Sequence, residues 1–543
     1  MYKLITNARL ATMDARAPFA EAAVINGDRF AFVGSAGGAK SFLSSRTKDY
    51  EELDMGGRLC IPGFNDSHMH YLHYIKNRCF SLDLSGATSF SEMLGAIRSA
   101  LASRSFQPHE WLVCEGWNQD KFSDERRFPT ADDLDAVSRD VPIIAMRVCF
   151  HIGVLNSRAM ELIGLDAGRA AELGECAGKR GDGSPNGVVK ESVFDAVKQK
   201  IPMPDVKTLV DMLIRGQEQL FALGITSIQS DDFNYVSSGD EFALLELLRD
   251  AAQSGELKLR MSEQCLMGSR EDCDAFFDAG FDTSFGARNF GLSCIKLLQD
   301  GSLGARTALI SHGYEDAPGA SGLCIHSQSE LNYMVAEAQR RNMPAAIHAI
   351  GDKALAMAID AIEAAKLETP YFSPPHAVVH CQISDEKLLR RMAQIGAAAL
   401  VQPVFIDYDM DICADRVGGR LASTSYAWNT LRKLGVVTSF GTDCPVEDLN
   451  PMRGLWCAVT RQKLSGSAPF NPEEAMDLYD ALYCYTAAGA AVQNAACAKG
   501  KLCAGMYADF AVLDRDILAL PAEEILQAKV AATYVGGMCV YEA

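Results

Sequence analysis

Short apolar runs recur along the middle of the chain at a nearly constant interval, and this interval constrains the fold more than any other feature. Leu59–His68, Ile225–Gln229, Leu257–Glu263, Ser293–Leu298, Pro344–His348, Ala377–His380, Ala397–Gln402 and Val437–Gly441 read as strands. Counted start to start, the second and third are 32 residues apart, the third and fourth 36, and the fifth and sixth 33. A strand with its crossover helix takes about 30 residues or more. Eight such units predict an α/β chain folded as a (β/α)8 TIM barrel.

One interval breaks the pattern. From Leu59 to Ile225 is 166 residues, so a large insertion follows strand 1. It spans about 80–200 and holds helical runs at Ser91–Leu101 and Ser157–Ile163, a strand at Val141–Arg147 and a turn-rich stretch at Gly181–Gly187. Loops after barrel strands lie on the active-site face, so the insertion is expected to roof the pocket. The two ends are different in texture. Tyr2–Ala8, Ala22–Asn26 and Phe30–Gly34 read as strands, with a hairpin signal at Asn26-Gly27-Asp28. Ala508–Asp514 and Val530–Tyr541 read likewise. The expected organisation is a small β-sandwich from 1–57 and 491–543, around a barrel at 58–490.

Composition narrows the function classes. The chain has 543 residues, 51 basic against 70 acidic, for a net charge of −19. An acidic surface repels phosphate backbones, which argues against a nucleic-acid partner. No apolar run approaches the roughly 20 residues of a membrane span. The start, MYKLITNARL, lacks the pattern of a signal peptide, so a cytoplasmic location is expected. The 17 cysteines are scattered without a Cys-x-x-Cys pair and read as free thiols.

The ten histidines say more. His68 and His70 end the first strand two residues apart, so they share one face and both reach one metal ion. His348 and His380 each end a later strand. Singly, each reads more often as a core histidine satisfied by a backbone carbonyl, but four such positions at strand C-termini match where barrel enzymes place reactive groups. Asp443, after the eighth strand, is either a metal-binding carboxylate or a turn residue before Pro445. Lys296 lies inside the apolar fourth strand and needs a partner, a shifted pKa or a modification such as carboxylation. His73 reads as a helix or pocket-wall residue.

In this order, His-x-His, Lys, His, His, Asp, the chain resembles the amidohydrolase superfamily of metal-dependent hydrolases. The strings PGFNDSHMH (62–70), HIGVLNSRAM (151–160), IKLLQDGSLGARTAL (295–309), HAIGDKA (348–354) and GTDCPVEDLNP (441–451) are similar to its amidohydrolase-3, or YtcJ-like, branch, which includes N-substituted formamide deformylases. The resemblance implies a metal site of His68, His70, Lys296, His348, His380 and Asp443. It is either binuclear, bridged by a carboxylated Lys296, or mononuclear. Zinc is the first expectation, with manganese and iron as alternatives. It implies hydrolysis of a non-peptide C–N bond in a small-molecule amide, an N-formyl or N-acyl amine, by metal-activated water. Asp443 would act as base and acid, and His348 or His380 would stabilise the oxyanion. Cyclic-amide opening, deamination and a non-catalytic regulatory role are the rival readings. A homodimer is the family-based expectation.

Substrate-binding roles are expected for His151 and Trp117 in the insertion, weighed against plain packing. Arg306 is expected either to orient substrate or to pair with Asp300. The branch's pattern is broken at Gln299 and at Ser230-Asp231-Asp232, and neither departure is expected to touch the metal set.

Overall fold

A computed structural model describes every residue except 104, 105, 107–109, 149–151, 199, 203, 371 and 373. The chain forms two compact units, Met1–Leu72 with Leu213–Ala543, and His73–Met212.

The larger unit is built on eight parallel barrel strands: β1 (Phe64–Met69), β2 (Ile225–Ser230), β3 (Arg260–Leu266), β4 (Phe290–Leu298), β5 (Ala345–Ala349), β6 (Ala377–His380), β7 (Ala398–Val401) and β8 (Thr438–Phe440). Each hydrogen-bonds to the next in order, as a TIM barrel requires. Strands covered on both faces read as continuous apolar runs, and β2, β6, β7 and β8 are buried along their whole length. Helices are started by local chemistry. Helix Gln328–Arg340 opens with a capping box in which Ser327 and Glu330 satisfy each other's backbone N–H groups.

Register sets the height of the site residues. His348 on β5 lies opposite Leu298 on β4 and Val379 on β6, and Ala349 lies opposite His380. The seam between β8 and β1 is joined at its C-terminal end. Asp443 N–H donates to His68 O at 2.8 Å, and His70 N–H donates to Cys444 O at 2.8 Å. Inside the seam the buried Asp66 carboxylate accepts from Thr442 N–H at 3.1 Å, from the Thr442 hydroxyl at 2.5 Å and from His68 N–H at 3.2 Å.

The run expected as one strand, Leu59–His68, is two. Leu59–Pro62 pairs antiparallel with Phe510–Leu513, and Phe64–Met69 pairs with β2. The break falls at Gly63, where a Cβ would lie 2.1 Å from Thr226 Oγ1, so only glycine lets the chain pass from sheet to barrel. Two sheets made from the chain ends complete this unit. One orders Arg29–Gly34, Ala22–Asn26, Tyr2–Thr6 and Tyr50–Asp54. The other runs from Met538–Glu542 through Val530–Val535, Phe510–Leu513 and Leu59–Pro62 to Arg9–Ala11 and Phe19–Ala20. Ile5, Ile25, Phe30, Phe510 and Val512 pack in one core between them. Arg260 of β3 ties the barrel to this sheet through a buried two-pronged pair with Asp509.

The unit His73–Met212 has its own six-stranded sheet, with Ile152–Leu155 and Ile143–Arg147 at its centre. Helix Ser157–Ile163 falls where the sequence places it, and Phe90–Ser103 extends the other expected helix at both ends. Among the described residues, no helix is long and apolar enough to cross a membrane.

Candidate metal centre

All six expected metal-site residues belong to the larger unit, at or just beyond the C-terminal ends of β1, β4, β5, β6 and β8. Strand alternation puts His68 and His70 on one side of β1, and the seam contacts bring Asp443 to them. Asp443 Oδ1 lies 3.3 Å from His68 Nε2 and 3.2 Å from His70 Nε2. Neither contact has hydrogen-bond direction, and Oδ1 is buried with no hydrogen-bond donor among the described residues. Among those residues this trio is also the only group of three histidine, cysteine or acidic side chains whose ligand atoms all lie within 4.8 Å of one another.

Neighbours aim each imidazole. His68 Nδ1 meets Gln264 Oε1 at 2.6 Å, and Gln264 Nε2 donates to Ser67 O at 3.1 Å, which fixes the amide so that its oxygen faces the ring. His70 Nδ1 meets Asp231 O at 2.9 Å, and His380 Nδ1 meets Gln402 Oε1 at 2.8 Å. With an oxygen acceptor at Nδ1, a neutral ring keeps its proton there and presents a lone pair at Nε2, the arrangement metal-binding histidines use. His380 and Asp443 have φ of 74° and 57°, left-handed values that turn their side chains sharply out of the strand line.

The remaining positions form a second group beside this trio. Lys296 Nζ lies 3.0 Å from His68 Nε2 and 3.5 Å from the Asp231 carboxylate. The lysine therefore has the partner its burial demands. The ring centroids of His348 and His380 are 4.4 Å apart, and those of His68 and His380 are 5.7 Å apart. His348 Nε2 faces Gly301 O at 3.2 Å and Asp300 at 3.4 Å.

Burial and charge set the protonation states. Burial, with the Lys296 charge, holds His68 well below the usual imidazole range. Burial holds His348 well below that range and His380 at about 4. Burial also pulls His70 down, but contact with the Asp443 carboxylate outweighs it and raises His70 to about 9. For Asp443 burial works upward, and the surrounding imidazoles overcome it and keep the carboxyl below the usual range. The neutral His68 and His380, and the protonated His70 against the ionised Asp443 carboxylate, fit a divalent cation that would take the place of the His70 proton. The proton that His70 carries marks the position such an ion takes.

Other expectations are revised. Asp231 does touch the metal set, through its carbonyl on His70 and its carboxylate on Lys296, because β2 adjoins β1. Gln299 does not, since its amide donates to His326 O at 2.9 Å. Arg306 pairs with Asp316 at 2.8 Å, and not with Asp300. Asp300 instead accepts from the N–H groups of Leu309, Ile350 and Gly351 and faces His348. Trp117 is fully buried in the core of the inserted unit, its indole N–H donating to Ala145 O at 3.0 Å, as the packing alternative requires. His73 lies on helix Tyr71–Phe80, and His151 falls outside the described residues. Gln264, Gln402, Asp231 and Asp66 are the contributors that sequence reasoning missed.

Comparison with known proteins places this geometry. The profile of the amidohydrolase family matches residues 51–541. YtcJ of Bacillus subtilis (strain 168), a protein assigned to the amidohydrolases, is 29% identical over 91% of this chain and 90% of its own. N-substituted formamide deformylase of Arthrobacter pascens is 25% identical over 99% of this chain and 98% of its own. The crystal structure of a metal-dependent hydrolase of Pyrococcus horikoshii OT3 is 28% identical, with a TM-score of 0.77 over 96% of this chain and 99% of that one.

Proposed function

The chain belongs to the amidohydrolase family, and from that premise we propose that it hydrolyses a non-peptide C–N bond, in an N-formyl or N-acyl amine, with a divalent ion held by His68, His70 and Asp443. The observation that carries this reading is the buried Asp443 Oδ1, without a hydrogen-bond donor among the described residues, set 3.3 and 3.2 Å from the Nε2 atoms of His68 and His70. Zinc suits this nitrogen and carboxylate set first, with manganese and iron as alternatives. The deformylase relative supports an amide of this class.

A divalent ion supplies Lewis acidity and lowers the pKa of water at the site. The chain's own residues do the rest. Asp443, ionised at neutral pH, accepts the proton of the attacking water and passes it to the leaving nitrogen. His380 is held neutral by burial and fixed by Gln402 beside His348, so its Nε2 lone pair is available to an ion and not as a donor to the carbonyl oxygen. Addition of water to the carbonyl carbon and loss of the C–N bond yield a carboxylic acid and a free amine. Lys296, paired with Asp231, gives the site a fixed positive charge beside His68. A second ion requires Lys296 to become a carbamate next to the Asp231 carboxylate, so the geometry supports a single ion.

The test is amine release from N-formyl, N-acetyl and cyclic amides by metal-depleted and metal-reloaded protein. The reading expects release from formyl or acetyl amines only after reloading. Release that is indifferent to metal, or confined to cyclic amides, overturns it.

A further inference from the structure

His348 is held differently from the other three site histidines. His68, His70 and His380 each meet an oxygen acceptor at Nδ1. His348 meets its acceptors at the other nitrogen. Its Nε2 lies 3.2 Å from Gly301 O and 3.4 Å from Asp300 Oδ1. Carbonyl and carboxylate oxygens accept hydrogen bonds and do not donate them. Nε2 therefore carries a proton in either charge state of the ring, and the lone pair of the neutral ring is at Nδ1. The neighbouring His380 ring, with its centroid 4.4 Å away, has the opposite arrangement.

Asp300 is itself firmly fixed. It lies just past β4 and is 2% exposed. Its Oδ2 accepts from the N–H groups of Leu309 and Gly351, each at 2.8 Å. Its Oδ1 accepts from Ile350 N–H at 3.0 Å. Leu309 belongs to the loop after β4, and Ile350 and Gly351 directly follow β5, so the carboxylate staples the two strand ends together. The approach is close, since a Cβ on Gly351 would lie 2.0 Å from Leu309 O. Gln299 N–H also donates to His348 O at 3.1 Å, which sets the height of His348 against the same loop. Oδ2 has two backbone donors and Oδ1 has one, and it is Oδ1 that faces His348 Nε2. The three N–H groups favour the ionised carboxylate and oppose the burial that pushes it up to about 7.

We propose that Asp300 is the positioning residue for His348: with Gly301 O it holds the proton on Nε2 and so keeps the lone pair at Nδ1, the reverse of His68 and His380. The effect on turnover rests on the amide-hydrolase reading, whereas the position of the proton does not. Without the Asp300 carboxylate the ring is free to turn or to move its proton to Nδ1. It then brings a donor where the wild-type ring brings a lone pair.

The proton position is read by two-bond 15N–1H correlation on 15N-histidine-labelled full chain at pH 8, with and without zinc. His348→Gln identifies the signal. Wild-type His348 should be protonated on Nε2. In Asp300→Asn an amide NH2 replaces one acceptor and opposes either Ile350 N–H or His348 Nε2–H, so the Nδ1–H form should appear. On zinc-loaded protein, kcat for N-formyl- or N-acetyl-n-butylamine should then fall about tenfold or more, with little change in KM and with zinc retained. If Asp300→Asn does not fold, Asp300→Ser gives the same test, since its hydroxyl still accepts from the backbone but reaches less far toward His348. Wild-type His348 protonated on Nδ1 overturns the assignment whether or not a variant folds. A folded variant that keeps the wild-type proton position, or the wild-type kcat, also overturns it, because Gly301 O then suffices. A proton that moves as expected, in a protein whose wild type hydrolyses neither amide, leaves the assignment standing and counts against the amide reading.

Discussion

Replacing Gln264 with leucine removes the group that aims His68 while changing none of the metal-binding side chains. Gln264 Oε1 accepts from His68 Nδ1 at 2.6 Å, which leaves a lone pair on Nε2, 3.3 Å from Asp443 Oδ1 and 3.0 Å from Lys296 Nζ. Leucine fills a similar volume and offers no acceptor. A buried Nδ1–H without an acceptor costs roughly 1–3 kcal/mol. The imidazole escapes that cost by shifting its proton to Nε2, the atom a metal needs. Removing such a supporting partner typically lowers metal affinity about 10–100-fold. Tenfold corresponds to about 1.4 kcal/mol, so the two figures agree. Gln264 Nε2 also donates to Ser67 O at 3.1 Å, and its loss should lower the stability of the metal-free protein by about 1 kcal/mol. Chelator competition measures the affinity, and thermal unfolding of the metal-free protein separates it from folding. Gln402→Leu, which acts on His380 outside the trio, should weaken metal binding less. Unchanged metal affinity in a folded Gln264→Leu protein refutes the reasoning.

Two further predictions concern the rest of the larger unit. Arg260→Met leaves Asp509 buried without its cation and should cost about 3–5 kcal/mol in denaturant unfolding; a loss near zero would show that the pair does not join sheet to barrel. Lys499 is buried with its ammonium on Ser227 Oγ, and burial with the Arg260 charge lowers it from 10.5 to about 7. Between those values the unfolded chain binds a proton that the folded chain does not, so folding stability should rise with pH by up to about 1.4 kcal/mol per unit from this group. Lys499→Met should lose that slope between pH 7 and 10 in unfolding titrations, and equal slopes would contradict it.

Strand ends and the His-x-His spacing made the barrel and its six polar positions legible, because both follow from local periodicity. What stayed hidden depends on neighbours across the barrel. Gln264 sits on β3 and His68 on β1, with β2 between them, so no local pattern links them. Asp231 looked incidental until the pairing of β2 with β1 set its carbonyl against His70. The end of the terminal sheet was masked for a different reason. Leu59–Pro62 and Phe64–Met69 form one apolar run, and only the steric limit at Gly63 separates them. Trp117 illustrates the converse, since an aromatic next to glycine reads equally well as a pocket wall or as core, and only its packing decides.

Metal content measured together with amine release, in wild type, His68→Ala and Asp443→Asn, tests the central claim most directly. The account predicts about one divalent ion per wild-type chain, loss of the ion in His68→Ala, and loss of hydrolysis in both variants by about a hundredfold or more. A wild-type protein that hydrolyses its amide without metal, or an Asp443→Asn protein that retains full activity, would contradict it.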